Sequence, residues 1–153
     1  MTPLRLVFTK GAGKTDVLEL IDVAGATTRT DCPKQRIIPH DMVHYAVEST
    51  LDARGFLGRV AHGEAADVTM RGDAESDAVE RLVEVFQGDG WSGGTAPARD
   101  VIDLYAVTCA ARACAPVPID DALVAAIRTR IADLTARWNA VPVGGTLALA
   151  FAP

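Results

Sequence analysis

The segment that decides the fold covers residues 4–23 and reads LRLVFTKGAGKTDVLELIDV. Leu4, Leu6 and Phe8 recur at every second position, which is the pattern of a strand with one buried face. A glycine-rich turn follows, and a run rich in apolar residues resumes the strand pattern at 17–23. The segment therefore predicts a β-hairpin at the start of the chain.

The far end of the chain carries a matching strand, because Leu147, Leu149 and Phe151 again occupy alternate positions. Apolar residues recur with helical spacing between the two ends. The predicted helices run over about 39–53, from near Asp73 through Phe86, over about 98–114, and from Asp120 through Trp138. We expect one α+β domain, residues 1–153, in which a small antiparallel sheet (the N-terminal hairpin plus the C-terminal strand) packs against about four helices.

The remaining stretches predict connections between these elements. Residues 24–38 have the composition of a loop, with a short third strand over 35–38 as an option. Residues 55–63 are rich in glycine and indicate a tight connection rather than a helix. A short strand is expected over 68–70, and a flexible loop is expected over 87–97.

The composition is that of an ordinary globular domain, with 49% hydrophobic and 23% charged residues. A net charge of −5 and a pI near 5.1 argue against nucleic-acid binding, which needs a basic surface to neutralise phosphates. No apolar run reaches the roughly 20 residues that span a bilayer, and the pattern of a signal peptide is missing. We therefore expect a cytoplasmic protein, and three cysteines, an odd number, fit a reducing compartment.

Residues 11–15, GAGKT, resemble part of a phosphate-binding loop. The full pattern is G-x-x-x-x-G-K-[ST], and Phe8 stands where its first glycine belongs. Such a loop also needs a helix directly after it, whereas residues 17–23 predict a strand. The segment is therefore interpreted as a hairpin turn and not as a nucleotide site.

The only concentrated site chemistry lies in residues 39–48, PHDMVHYAVE. His40 and His44 are four residues apart, so a helix projects both imidazoles from one face, as in H-E-x-x-H zinc helices. Asp41 occupies the place of the glutamate that activates water in those enzymes, and Glu48 lies one turn beyond His44. The pattern makes His40 and His44 candidate metal ligands. Asp41 and Glu48 are candidate catalytic residues, with Glu48 also able to orient His44 as a hydrogen-bond acceptor.

A catalytic zinc site needs about three protein ligands and a water molecule. His62 is the only other histidine and is therefore the candidate third ligand, for zinc or another divalent metal. Weaker candidates for that position are Cys32, Asp31 and Glu64. A nucleophilic pair of Cys32 and His40 is a further alternative, although no helix N-terminus is predicted to lower the pKa of that thiol.

Residues 39–48 also resemble a family of uncharacterised bacterial proteins that carry Pro-His-Asp-x-x-His-aromatic-x-Val-Glu. Residues 55–63 are similar to the Gly-Phe-x-Gly-x-x-Ala-x-Gly block of that family, and the passage from Trp138 to the glycine turn at 143–147 is similar to its last helix and strand. The resemblance covers most of the chain. It implies a common fold and directs the question of function to residues 39–48, and it brings no settled activity.

Two hypotheses of function follow from these patterns. The first is a small metal-dependent, hydrolase-like protein that uses the His40/His44 helix on a small-molecule substrate of unknown identity. The alternative is a non-enzymatic structural or interaction domain in which the histidines are structural. That domain would bind a protein partner or its own copy, with Trp91 in the glycine-rich loop 88–94 as the anchor.

Overall fold

The computed structural model of the protein describes residues 3–63 and 73–152. These residues form four strands and five helices. The strands are β1 (Leu4–Thr9), β2 (Thr15–Ile21), β3 (Thr27–Pro33) and β4 (Thr146–Phe151). The helices are α1 (His40–Glu48), α2 (Phe56–Ala61), α3 (Ala74–Trp91), α4 (Ala98–Ala111) and α5 (Asp121–Asn139). The expected α+β class is confirmed.

The strands form one antiparallel sheet in the order β3-β2-β1-β4. Leu6 on the central strand β1 lies opposite Leu20 of β2 and Leu149 of β4, so the alternating leucines of three strands share one face. That face is buried, and the residues between them point to the other side of the sheet. The predicted hairpin and terminal strand are therefore confirmed, although β2 begins at Thr15 rather than at residue 17. In the turn before β2 the Gly11 N–H donates to an Asp16 carboxylate oxygen at 2.9 Å.

Strand β3 corrects the prediction of a loop over 24–38. It pairs with β2 along its whole length, and only Cys32 among its residues is buried. Because an edge strand that is largely exposed needs few apolar residues, it leaves no hydrophobic alternation in the sequence. The optional strand over 35–38 is wrong, since those residues form bends and a connection, with Arg36 at φ 72°.

The helices differ from the prediction mainly in α1 and α2. Helix α1 ends at Glu48 rather than near residue 53, because the polar residues that follow at 49, 50 and 52 favour other backbone conformations. Residues 56–61 form the helix α2 where a tight connection was expected. Helix α3 continues to Trp91, so the expected flexible loop over 87–97 is partly helical. The strand expected over 68–70 lies outside the described residues.

Helix α1 is the central helix of the fold and contacts α2, α3 and α5. Its Met42, Val43, Ala46 and Val47 side chains are buried in the core beneath the inner face of the sheet. Helix α3 begins at a capping box, in which Asp73 and Ser76 each bond to the other's backbone N–H. Within the described residues, the helices are all too short or too polar to cross a membrane.

Candidate metal centre

Helix α1 brings the three polar residues of the motif to one edge of its buried face. His40, His44 and Glu48 follow one another at intervals of four residues, which is one helical turn. The rings of His40 and His44 have centroids 4.8 Å apart and meet edge to face at 78°. Pro39 directly precedes the helix and has no N–H to leave unpaired. The local sequence thus sets both imidazoles on one line, as predicted.

Helix α3 adds a third group that the sequence analysis did not select. One carboxylate oxygen of Glu80 lies 3.2 Å from Nε2 of His40, and the other lies 2.7 Å from Nε2 of His44. The His44 side chain is only 3% exposed, whereas His40 is 40% and Glu80 is 31% exposed. The group therefore has one buried side and one side that is open to solvent.

Glu48 lies on the buried side of the group formed by His40, His44 and Glu80. Its carboxylate accepts a hydrogen bond from Nδ1 of His44 at 2.9 Å, from the Gly58 N–H at 2.9 Å and from the Leu57 N–H at 3.1 Å. The last two donors belong to the first turn of α2, where backbone N–H groups have no partner within the helix. Glu48 is itself only 3% exposed. Its charge is therefore balanced by directed donors rather than by water.

Glycines allow α2 to approach this closely. A Cβ added to Gly55 would lie 2.5 Å from the Val79 side chain and 2.7 Å from the carboxylate carbon of Glu48. A Cβ on Gly58 would lie 2.9 Å from the Arg54 side chain. The glycines among residues 55–63 led the sequence analysis to predict a tight connection there. Gly55 and Gly58 are also the reason that α2 can lie so close to Glu48.

The two carboxylates control the charge of His44. Burial alone would lower the pKa of His44, but hydrogen bonds to Glu48 and Glu80 outweigh it and raise that pKa to about 10. Burial alone would raise the pKa of Glu80, but the hydrogen bonds from His40 and His44 outweigh it and hold that pKa well below its usual range. The site therefore attracts positive charge between the rings and the carboxylates.

The ligand atoms of His40, His44 and Glu80 all lie within 4.8 Å of one another, so these residues could hold a metal ion. Glu48 occupies Nδ1 of His44 and leaves Nε2 to face Glu80. A carboxylate on the far nitrogen of a ligating histidine is the usual way in which proteins orient such a ring. Glu48 thus lies where the sequence analysis expected an orienting acceptor.

The other predicted site residues lie elsewhere. Nδ1 of His62 is 2.6 Å from the Gly58 carbonyl oxygen, and His62 is not part of the group formed by His40, His44 and Glu80. Asp41 is half-buried and is not part of the group formed by His40, His44 and Glu80. Asp31 is exposed on β3, and Glu64 lies outside the described residues.

Cys32 does not form the nucleophilic pair that was considered with His40. It is 4% exposed, and burial together with the negative charge of Asp41 raises the pKa of its thiol to about 12. The thiol is therefore protonated at neutral pH. His40 meanwhile lies against Glu80 on α3.

Glu80 is the member of the candidate metal-ligand group that sequence reasoning missed. It directly follows Val79 in the apolar stripe of α3, so its position at the border of a buried face was visible in the helical period. Many charged residues occupy such borders, however, and nothing local connects α3 with the histidines of α1. The role of Glu80 is visible only in the tertiary structure, where α3 packs against α1 and brings this carboxylate to both histidines.

Trp91 at the end of α3 is 56% exposed, as the interaction hypothesis expected. Its indole N–H donates to the Gln35 carbonyl oxygen at 2.7 Å, so the ring is fixed across the β3–α1 connection.

The comparisons with known proteins gave no match to a protein-family model, a curated protein or a solved structure. The function must therefore be argued from the site itself.

Proposed function

We propose that this protein binds one divalent metal ion, zinc by preference, and uses it as a hydrolytic centre. The ligands are Nε2 of His40, Nε2 of His44 and one carboxylate oxygen of Glu80. Two histidines and one glutamate are the ligand set of a well-known class of catalytic zinc sites, which keep a further position for water. The observation that carries the proposal is the convergence of these three ligand atoms within 4.8 Å beside the orienting carboxylate of Glu48.

The distances support a metal of this size. Ligand atoms of a tetrahedral zinc ion are about 3.3 Å apart when each lies about 2.05 Å from the ion. The Glu80 oxygens lie 3.2 Å and 2.7 Å from the two imidazole nitrogens, and the ligand atoms all lie within 4.8 Å of one another, so side-chain rotations that draw them together would admit the ion. Imidazole nitrogen also favours zinc over magnesium or calcium, which prefer oxygen ligands.

The chemistry proposed for the site is activation of water. A zinc ion with an open position lowers the pKa of its bound water to about 7 and so supplies hydroxide at neutral pH. The partial exposure of His40 and Glu80 supports an open position on the solvent side, where a substrate would have access. In this proposal Glu48 orients His44, and Asp41, which lies outside the group of converging ligand atoms, takes no part in binding the ion.

Metal analysis of protein purified without a histidine tag tests the proposal. We expect about one zinc ion per chain in the wild type and none in the His40→Ala/His44→Ala variant. His62→Ala is the matched control, because it removes the one histidine outside the group and should retain the metal. Hydrolysis of a panel of esters and amides should disappear on chelation and return with added zinc. A wild type that takes up no zinc, or a double variant that binds it equally well, would refute the proposal.

A second candidate function is structural. Both ring nitrogens of His44 already bond to carboxylates at 2.9 Å and 2.7 Å, so the charged imidazole alone can join α1 to α2 and α3. On this view the protein is a non-enzymatic domain. His44→Ala would then lower the free energy of unfolding equally in the presence and absence of zinc, whereas the metal proposal requires zinc to stabilise only the wild type.

A further inference from the structure

A cleft of about 810 Å³ lies apart from the metal-ligand group, between the β1–β2 turn, the β3–α1 connection, the end of α3 and one side of α5. None of His40, His44 and Glu80 lines it. The volume falls within the range of about 300–1,000 Å³ that is typical of small-molecule sites. The cleft is therefore large enough for a ligand of its own.

The interior of the cleft is apolar. Val43 and Phe86 form part of its lining and are almost fully buried, while Ile37 lines it from the β3–α1 connection and Ile131 and Trp138 line it from α5. Such a surface favours a ligand with an apolar body, because each apolar group that leaves water contributes to binding.

The charged residues of the cleft are mostly basic. Four basic side chains and two acidic ones line it, although the whole chain has a net charge of −5. The two acidic residues are already paired. Asp16 lies 3.6 Å from Lys34, and Asp89 binds Arg128 through both of its oxygens, at 2.9 Å and 2.7 Å. The cleft therefore keeps a net positive charge that can attract a ligand, although the protein as a whole is negatively charged.

Arg36 is the basic residue with the greatest freedom to bind a ligand. Within residues 3–63 and 73–152 its guanidinium makes no hydrogen bond or ion pair, whereas Lys10 donates to the Trp138 carbonyl oxygen and Lys34 to the Gly11 carbonyl oxygen. Its backbone is held at φ 72°, which is unusual for a residue other than glycine. Gln35 and Trp91 brace this connection, since the indole of Trp91 donates to the Gln35 carbonyl oxygen.

We propose that this cleft is a second binding site, for a small amphipathic organic anion with one carboxylate and an apolar body. The carboxylate binds Arg36 at the rim, where a guanidinium offers two parallel N–H donors. The apolar body lies along Ile131 and Trp138. This site is independent of the metal and remains if the proposed metal site fails.

Decanoate and decanol test the proposal, because they share an apolar chain and differ in charge. Binding is measured by displacement of 8-anilinonaphthalene-1-sulfonate from the full chain. We expect one decanoate per chain, bound about tenfold more tightly than decanol, since a charge-assisted hydrogen bond accounts for a factor of that size. Arg36→Ala should weaken decanoate binding about tenfold and leave decanol unchanged. Arg99→Ala is the control, because Arg99 does not line the cleft, and it should change neither.

A blocking variant separates this cleft from other apolar surfaces. Ala132 is exposed on α5 and lines the cleft, so Ala132→Phe should abolish decanoate binding without disturbing the core. Ala126→Phe is the matched control, because Ala126 is exposed on the same helix outside the cleft. This variant should bind decanoate as the wild type does. Circular dichroism verifies folding, and Ala136→Phe serves if the first variant is unfolded. Equal binding of decanol and decanoate, or full binding by a folded blocking variant, overturns the proposal.

Discussion

The carboxylate of Glu48 accepts the Gly58 N–H at 2.9 Å, and this bond joins the end of the histidine helix to the start of the next helix. The same carboxylate accepts Nδ1–H of His44 at 2.9 Å. One buried side chain therefore positions both a candidate metal ligand and the helix that covers it.

Glu48→Gln should lower the free energy of unfolding by about 3 kcal/mol, because it removes one partner of a buried, charge-paired network. The glutamine side chain has one acceptor oxygen for the three donors that Glu48 binds, from His44, Leu57 and Gly58. It also adds two N–H groups that have no acceptor at this place. Urea denaturation followed by circular dichroism measures the change. Glu19→Gln, on the outward face of β2, is the control and should change the stability by less than about 0.5 kcal/mol. Equal effects of the two substitutions would show that the network does not stabilise the fold.

Gly55→Ala should destabilise the protein by about 1–3 kcal/mol, since its Cβ would meet the side chains of Val79 and Glu48 below 3 Å. Gly13→Ala is the matched control, because no atom lies within 4 Å of an added Cβ in that turn. Thermal and urea unfolding measure both variants. If Gly55→Ala were as stable as the control, α2 would not need its close approach to Glu48.

The stability of the metal-free protein should fall as the pH rises from about 6.5 to about 10. The pKa of His44 is raised from about 6.5 in the unfolded chain to about 10 in the fold, so its contribution is complete below the lower value. It is lost as the pH rises through the higher value, where the imidazolium loses its proton. Denaturation curves in chelator at a series of pH values measure this loss. His44→Gln should remove that pH dependence, and an unchanged profile in the variant would assign it to other groups.

Zinc should stabilise the wild type by about 2.7 kcal/mol when its free concentration is 100 times the dissociation constant, because it binds only the folded ligands. Glu80→Gln should remove most of this effect by weakening one ligand. Glu84→Gln is the control. Glu84 lies one helical turn from Glu80 on α3 and pairs with Arg81 instead of the histidines. Zinc titrations of thermal unfolding distinguish the variants. Stabilisation of Glu80→Gln equal to that of Glu84→Gln would exclude Glu80 as a ligand.

The sequence by itself determined the parts that depend on local periodicity. Alternation predicted β1 and β4, because side chains in a strand point to opposite faces in turn, and the apolar run at 17–23 predicted β2 between the hairpin turn and the loop. The spacing of His40, His44 and Glu48 predicted one line of polar groups, since four residues make about one helical turn. These relations hold within a single element and need no knowledge of its neighbours.

Only the tertiary structure decided the rest. Glu80 reaches the histidines because α3 crosses α1, the exposed strand β3 forms by pairing with β2, and glycines 55 and 58 admit α2 beside a carboxylate. Each of these contacts joins segments that are distant in the chain or that differ in their local preferences. Packing selects them through pairing of polar groups and close approach between different elements, and such relations between elements leave no periodic signal in the sequence.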